Sequence, residues 1–205
     1  MECSFSKSTE KIGAFLFPYR GIIWGILGLV VFLFAQVKTA WFLTGLLFLI
    51  TGELFRMWGV GYIKNYRGPM LEVTNLTTAG PYAFVRNPLY LANGIIGIGI
   101  SLFSGLIFMI PVFLLLFFFL YHPIICAEEQ FLTNKFKEKY TDYTQKVPRY
   151  LPRFHPYPYP SGSFSWDVII IKEIHTIATL LIISILFYLR GYSFLRILDR
   201  FFLGF

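Results

Sequence analysis

A polar, turn-rich stretch at residues 80–90 contains the side chains best suited to chemistry. It reads Gly-Pro-Tyr-Ala-Phe-Val-Arg-Asn-Pro-Leu-Tyr, so Arg86 and Asn87 come directly before an apolar stretch that begins at Pro88. Proline suits the first turn of a helix, where a missing N–H breaks no hydrogen bond, and Pro88 is therefore predicted to begin one. A fixed cation at this entrance has two interpretations: a membrane-interface anchor, or a functional site in which the charge holds a ligand.

Other ionisable side chains lie within or beside apolar stretches. Glu53 and Arg56 are three residues apart, and so on one face of a helix, inside an apolar stretch. Charges within a membrane helix are costly unless they pair or face a cavity, so a mutual ion pair is favoured over a direct role at a site. Glu128 and Glu129 open a charged segment, and a lone histidine, His122, lies just before them near a helix end, where it is more often structural.

The composition predicts an integral membrane protein. Of 205 residues, 56% are hydrophobic and only 14% are charged, whereas ordinary globular chains carry roughly 25% charged residues. The predicted fold is all-α, because a helix satisfies its own backbone hydrogen bonds in lipid, and one membrane domain covers residues 1–205. The net charge of +7 does not indicate nucleic-acid binding, since the Lys and Arg residues lie between apolar segments, as anchors and topology signals do. The two cysteines are too few and too far apart for a zinc site, and no metal is predicted.

Five apolar segments are predicted to span the membrane as helices. They cover residues 21–35, 40–63, 88–103, 106–126 and 166–189. Residues 128–146 show apolar side chains at helical spacing among charged ones and predict an amphipathic helix. Alternating prolines require residues 155–160 to be extended, and residues 190–205 predict an amphipathic interfacial tail. Two groups of glycines are predicted to allow close helix packing, namely Gly21, Gly25 and Gly28, and Gly94, Gly97 and Gly99.

The distribution of loop charges predicts the orientation. With the N-terminus in the cytosol, the loops at residues 64–87 and 127–167 are cytosolic and hold most of the loop Lys and Arg, while the first opposite loop has only Lys38. Arg190, Arg196 and Arg200 do not fit this count if the last segment spans. The charged segments at residues 80–90 and 128–153 are therefore predicted to meet on one cytosolic face.

The order and spacing of these motifs resemble the signature of integral-membrane methyltransferases that use S-adenosylmethionine. The family includes isoprenylcysteine carboxyl methyltransferase and the phospholipid N-methyltransferases. The matching motifs are Gly-Pro-Tyr at 80–82, Arg-Asn-Pro-Leu-Tyr at 86–90, the glutamates at 128 and 129, and Val-Pro-Arg at 147–149. The resemblance covers about residues 52–153, and residues 154–205 add a Pro-rich linker, the fifth helix and the tail. Prenylcysteine-type members typically have His at the position of Asn87, so this chain is more similar to the phospholipid and bacterial members.

The resemblance implies a cytosolic cofactor pocket at the ends of these helices, closed by the amphipathic helix. The implied cofactor-binding residues are Gly80, Tyr82, Arg86, Asn87, Pro88, Tyr90, Glu128 and Glu129. Among them, Arg86, Asn87 and Glu129 are expected to be catalytic, with Arg86 gripping the carboxylate of the cofactor. Adjacent helical residues point about 100° apart, so one glutamate, Glu129 rather than Glu128, is expected to receive the ammonium or the ribose hydroxyls. Candidate substrate contacts are Glu53, Arg56, His122 and Arg149.

The implied reaction is methyl transfer to a lipophilic acceptor that enters from the bilayer, since exposing hydrocarbon to water costs about 0.8 kcal/mol per CH₂. The acceptor is an isoprenylcysteine-like carboxylate or a phospholipid-type amine, and the oligomeric state is open. The implied location is a bacterial inner membrane or an endoplasmic-reticulum-type membrane. Two other functions remain open: a non-catalytic scaffold that binds a lipid or a partner, and a membrane reductase that uses a nicotinamide cofactor. Binding of each cofactor discriminates among the three.

Overall fold

The computed structural model describes residues 7–63 and 74–192, which form six α-helices and one short 3₁₀ helix. The α-helices are α1 (Lys7–Leu33), α2 (Thr39–Val60), α3 (Pro88–Phe103), α4 (Met109–Phe136), α5 (Glu138–Lys146) and α6 (Trp166–Tyr192), and the 3₁₀ helix is Gly80–Ala83. No strand occurs in the described part of the chain, and the predicted all-α class is confirmed. The predicted tail beyond residue 192, with Arg196 and Arg200, lies outside the described residues.

Four helices are long and apolar enough to cross a membrane, namely α1 from Lys11, α2, α4 and α6 to Gly191. The polytopic membrane architecture is therefore confirmed. The third predicted span is a shorter apolar helix: α3 has 16 residues and a length of about 24 Å, less than the roughly 30 Å of a bilayer core. The first span is longer than predicted, because the polar lead before residue 21 is also helical and Pro18 lies inside α1.

Helix α4 joins two elements that the sequence pattern separated. It continues past Pro123 and through both glutamates to Phe136, and the break comes at Lys137, which has φ 48° and ψ −122°. The predicted amphipathic helix at 128–146 is therefore wrong in extent, since its first half extends α4 and its second half is the nine-residue α5. The non-helical backbone of Lys137 therefore separates α5 from the end of α4.

Glycines set the spacing between α2 and α3. A Cβ atom on Gly45 would lie 2.6 Å from the carbonyl oxygen of Gly99, and one on Gly99 would lie 2.8 Å from that of Gly45, so only glycine permits this approach. By contrast, a Cβ atom on Gly21, Gly25 or Gly28 would meet nothing within 4 Å. Within residues 7–63 and 74–192, no helix makes the close contact that was predicted at these glycines, and this prediction is wrong.

Helix α6 is held at both of its ends. Near its start, Glu173 receives two hydrogen bonds from Arg56 of α2, with Nε 2.9 Å from Oε2 and Nη2 3.0 Å from Oε1. Near its end, Arg190 donates to the carbonyl oxygens of Leu33 (2.8 Å) and Ala35 (3.3 Å), just where α1 ends. A cation is favourable at a helix C-terminus, so Arg190 has a structural role at a position that the charge count did not explain.

Candidate active site

Backbone hydrogen bonds fasten the extended segment at residues 147–161 across residues 78–86. Prolines keep that segment out of helical geometry and leave its remaining amides and carbonyls free for other partners. The bonds, 2.8–3.1 Å long, join Arg86 to Pro148, Phe84 to Arg153, Ala83 to Tyr157, and both Thr78 and Ala79 to Ser161. The two motifs predicted to share one face are therefore in direct contact at one end of the helix bundle. The cytosolic placement of that end stays a prediction of the charge count.

A buried carboxylate, that of Glu129 in α4, gathers the charged side chains of both motifs. Arg86 Nη1 donates to its Oε2 over 3.1 Å, and Asn87 Nδ2 donates to its Oε1 over 3.0 Å. Arg149 Nε lies 3.2 and 3.1 Å from the two oxygens, and its Nη2 lies 2.8 Å from Oε2. The three charged side chains are only 8–12% exposed. Two guanidinium groups thus share one carboxylate, and the cluster has a net positive charge.

Arg149 stays protonated in this cluster. Desolvation lowers the pKa of Arg149. The hydrogen bonds and the negative charge of Glu129 raise it by a larger amount, so the pKa lies above its ordinary value. In Arg86, the Nε atom is buried and has no hydrogen-bond partner among the described residues. A buried donor without an acceptor costs about 1–3 kcal/mol, so an anionic ligand group at this position would be stabilising.

Glu128, the neighbouring carboxylate, has a separate environment. Its Oε1 accepts a hydrogen bond from the phenol of Tyr90 in α3 over 2.9 Å. Glu128 and Glu129 both line the same cavity, although they contact different side chains. The structure therefore presents two carboxylates to a ligand, one already shared by cations and one paired with a phenol.

Two tyrosines of α5 also line this cavity. Tyr140 and Tyr143 are each 2% exposed, and the Tyr143 hydroxyl donates to the carbonyl oxygen of Tyr82 over 2.7 Å. Burial raises the pKa of both phenols, and the negative charge of Glu129 raises it further, so both stay neutral near pH 7. Neutral aromatic walls of this kind suit an adenine ring or a sulfonium cation.

A single cavity of about 950 Å³ connects this charged cluster to an apolar channel. Its polar end is lined by Tyr82, Arg86, Asn87, Glu128, Glu129, Tyr140 and Ser161 to Ser163, and its apolar end by Leu27, Val31, Ile100, Met109, Val112 and Phe113. Met109 begins α4, and Glu129 lies about 30 Å further along the helix at 1.5 Å per residue. The cavity therefore extends over most of the membrane-spanning length of the bundle.

The predicted cofactor residues mostly lie at the polar end of this cavity. Tyr82, Arg86, Asn87, Pro88, Tyr90, Glu128 and Glu129 all line it. Gly80 is not among the lining residues. Its φ of +61° favours glycine, and a Cβ atom there would lie 2.3 Å from the ring of Tyr62. Its close contact is therefore with a tyrosine of the chain itself.

The candidate substrate residues separate into different surroundings. Arg56 lines the cavity, but its main partner is Glu173, and Glu53 lies 3.9 Å away, so the predicted Glu53–Arg56 pair is the weaker contact. His122 does not line the cavity, and its Nδ1 contacts the hydroxyl of Tyr150. Arg149 is a central member of the charged cluster.

Several lining residues were not predicted as site residues. They include Arg20 and Trp24 of α1, Asn93 of α3, residues 74–77 and residues 161–163. Only the four-residue spacing of Arg20 and Trp24, which places both on one face of α1, could have indicated the helix contribution. Among residues 7–63 and 74–192, no group of three or more His, Cys, Asp or Glu side chains is placed to hold a metal ion.

Comparison with known proteins identifies the family to which this sequence is similar. The family profile described as phospholipid methyltransferase matches residues 25–139. The nickel-cobalt-cadmium resistance protein NccN of Alcaligenes xylosoxydans xylosoxydans is 31% identical over 119 residues, which are 57% of this chain and 52% of that protein. The cobalt-zinc-cadmium resistance protein CzcN of Cupriavidus metallidurans is 31% identical over 126 residues, which are 60% of this chain and 53% of that protein. The chain thus spans about half the length of these relatives, and no solved structure matches it significantly.

Proposed function

Because the chain belongs to the phospholipid methyltransferase family, we propose that it transfers a methyl group from S-adenosylmethionine to a lipophilic acceptor in the membrane. The observation that supports this most is the cavity, which joins a charged cluster to an apolar channel. A charged cofactor and a hydrocarbon chain can occupy such a cavity together. A water-soluble acceptor would have no use for the apolar part.

The side chains at the polar end fit the charged groups of S-adenosylmethionine. Arg86 has a buried Nε atom without a hydrogen-bond partner among the described residues, and it would donate to the carboxylate of the cofactor. Glu128 would accept from the ammonium or the ribose hydroxyls through the oxygen that Tyr90 does not use. Tyr140 and Tyr143 would pack against the adenine ring or the sulfonium. In this arrangement Glu129 would orient Arg86 and Arg149. Glu128, and not Glu129 as the sequence analysis expected, would be the main carboxylate contact of the cofactor.

In the proposed reaction, the role of the protein is to align the acceptor with the methyl group and the sulfur of the cofactor and to limit the access of water. The bound cofactor supplies a methyl group activated by a positively charged sulfur. Displacement from sulfur requires acceptor, methyl and sulfur in line, and the walls of the cavity, which include residues of α5 and residues 161–163, would hold the two reactants in such a geometry. A carboxylate acceptor needs no further help. An amine acceptor must also lose a proton, which would pass to solvent or to a carboxylate that lines the cavity.

The acceptor class that we favour is a phospholipid-type amine, with an isoprenylcysteine-like carboxylate as the alternative. The family match and the asparagine at position 87 support the amine. A specific observation favours a non-catalytic scaffold as the second candidate function. Glu129 receives its hydrogen bonds from Arg86, Asn87 and Arg149, so this carboxylate is paired within the protein and does not require a ligand.

Calorimetric titration of the purified protein in maltoside micelles tests the proposal. We expect S-adenosylhomocysteine to bind and a reduced nicotinamide not to bind. Arg86→Gln should weaken the binding roughly tenfold or more, because it removes charged hydrogen bonds to the ligand. Glu138→Gln, which removes a charge from an exposed position on α5, is the matched control and should bind as the wild type does.

The outcomes separate the three functions. Binding of S-adenosylhomocysteine leads to transfer assays with labelled methyl donor and a set of amine and carboxylate lipids. Binding of the nicotinamide alone would point to a reductase. Binding of neither compound by protein that melts cooperatively would reject methyl transfer in favour of the scaffold.

A further inference from the structure

Helix α1 presents a continuous stripe of side chains to the cavity. The stripe consists of Phe17, Arg20, Gly21, Trp24, Leu27, Gly28 and Val31, which recur at helical spacing. Gly21 and Gly28 leave open space beside them, so the larger side chains of the stripe border the cavity directly. Residues before position 25 lie outside the family match, and the sequence resemblance assigned no role to them.

Two polar side chains of this stripe lie one turn apart. The indole Nε1 of Trp24 is buried and has no hydrogen-bond partner among the described residues. Its ring is held by Tyr121, with centroids 6.1 Å apart and planes 12° apart, and by Phe113 at 5.2 Å. The indole therefore has a defined orientation inside the bundle, with a donor that lacks an acceptor.

Arg20, one helical turn before Trp24, supplies a cation. Its Nη1 donates to the carbonyl oxygen of Phe17, and its guanidinium lies 3.7 Å from the centroid of the Phe17 ring. No carboxylate in the described part of the chain lies within ion-pair distance of Arg20. Glu128 acts on this cation only through a longer-range coulombic interaction, so an anion in direct contact with the guanidinium would stabilise it.

We propose that Arg20 and Trp24 form the subsite for an anionic group, a phosphate or a carboxylate, on the lipid acceptor. The inference rests on the proposed function and identifies the part of the acceptor that α1 recognises. The anion would accept hydrogen bonds from the guanidinium and from the indole N–H. The attached hydrocarbon would follow the stripe toward Val31, about 16 Å from Arg20 along the helix axis.

The position of this subsite suits a reaction at the polar end. Arg20, Tyr90 and Glu128 all line the same cavity. A group on the acceptor next to the anion would therefore lie near Glu128, between the charged cluster and the apolar channel. An interface anchor is the simpler role of an arginine near a helix end, but it does not account for the buried donor of Trp24.

Binding of simple amphiphiles in maltoside micelles tests the subsite. The probes are dodecyl phosphate, laurate and dodecyltrimethylammonium, titrated by calorimetry into the full-length protein. We expect the anionic probes to bind and the cationic probe to bind more weakly. Arg20→Gln should weaken the binding of the anionic probes roughly tenfold to a hundredfold, and Trp24→Phe about tenfold, because each removes hydrogen bonds to a charged group.

Three controls keep the result specific. Lys11→Gln removes the same charge from an exposed position on α1 and should bind as the wild type does. Arg20→Lys keeps the charge and should retain most of the affinity, which would exclude a purely structural effect. A preference for dodecyl phosphate over laurate would indicate a phospholipid, and the reverse would indicate a carboxylate acceptor.

The same variants separate this inference from the proposed function. Arg20→Gln should bind S-adenosylhomocysteine within about threefold of the wild type, and a larger loss would place Arg20 in the cofactor site and overturn the inference. Wild-type protein that binds S-adenosylhomocysteine but does not prefer anionic probes would also overturn it. Protein that binds the anionic probes through Arg20 but not S-adenosylhomocysteine would keep the subsite and reject methyl transfer.

Discussion

Replacement of Glu129 by glutamine tests whether this carboxylate holds the site together. The substitution keeps the length of the side chain but removes the negative charge that Arg86 and Arg149 share at 2.8–3.2 Å. Breaking one side of a buried ion pair costs about 3–5 kcal/mol. The three side chains are 8–12% exposed and glutamine still offers one acceptor, so we expect a loss of about 2–4 kcal/mol.

Thermal melts of the purified protein, followed by intrinsic fluorescence, provide the measurement. A chain of this size changes Tm by about 2–4 °C per kcal/mol, so Glu129→Gln should lower Tm by about 5–15 °C. Glu138→Gln is the control, because it removes a carboxylate from an exposed position nearby. Adding Arg149→Gln to Glu129→Gln removes one of the uncompensated cations, and the double variant should melt higher than the sum of the single effects predicts.

One result would refute this reasoning. If Glu129→Gln melted within about 2 °C of the wild type but bound S-adenosylhomocysteine much more weakly, Glu129 would be a ligand contact and not the anchor of the two motifs. An additive double variant would also show that Arg149 and Glu129 do not depend on each other.

Two further contrasts test the packing of the bundle. Glu173→Ala should destabilise the protein by about 3–5 kcal/mol and Glu53→Ala by less, because Glu173 contacts Arg56 at 2.8–3.0 Å and Glu53 only at 3.9 Å; equal Tm values in thermal melts of the two variants would contradict this assignment. Gly28→Leu should leave Tm unchanged or raised and should weaken the binding of dodecyl phosphate, because the new side chain enters the open cavity. Gly45→Leu should lower Tm, because it overpacks a tight helix contact. A Gly28→Leu variant that melts as low as Gly45→Leu would show that this face of α1 is packed.

The membrane-spanning helices were predicted well because their signal is local. An apolar run of about 20 residues has few alternatives to a helix in lipid, and Pro88 begins α3 at the predicted residue. The ends of the helices were predicted less well. The apolar spacing of residues 128–146 is continuous across Lys137, so the pattern contains no sign of the helix break there.

The grouping of side chains at the candidate site was predicted in part, and for a related reason. The motifs themselves indicated Arg86, Asn87 and Glu129, and these side chains do meet. The contribution of α1 was not predicted, because Arg20 and Trp24 belong to no recognisable motif. The glycines of α1 were interpreted as a packing surface, since a row of small residues has the same spacing whether a helix or a cavity lies beside it.

The amino-acid sequence by itself determined the class of this protein, its helices, and the charged segments at residues 80–90 and 128–153. Those properties depend on residues close together in the chain, where hydrophobicity and proline geometry act directly. The tertiary structure alone decided which charges meet. Arg86 and Glu129 are 43 residues apart, and Arg56 and Glu173 are 117 apart. A guanidinium pairs with the carboxylate that the packing of distant helices places within about 3 Å, and no local sequence pattern predicts which carboxylate that is.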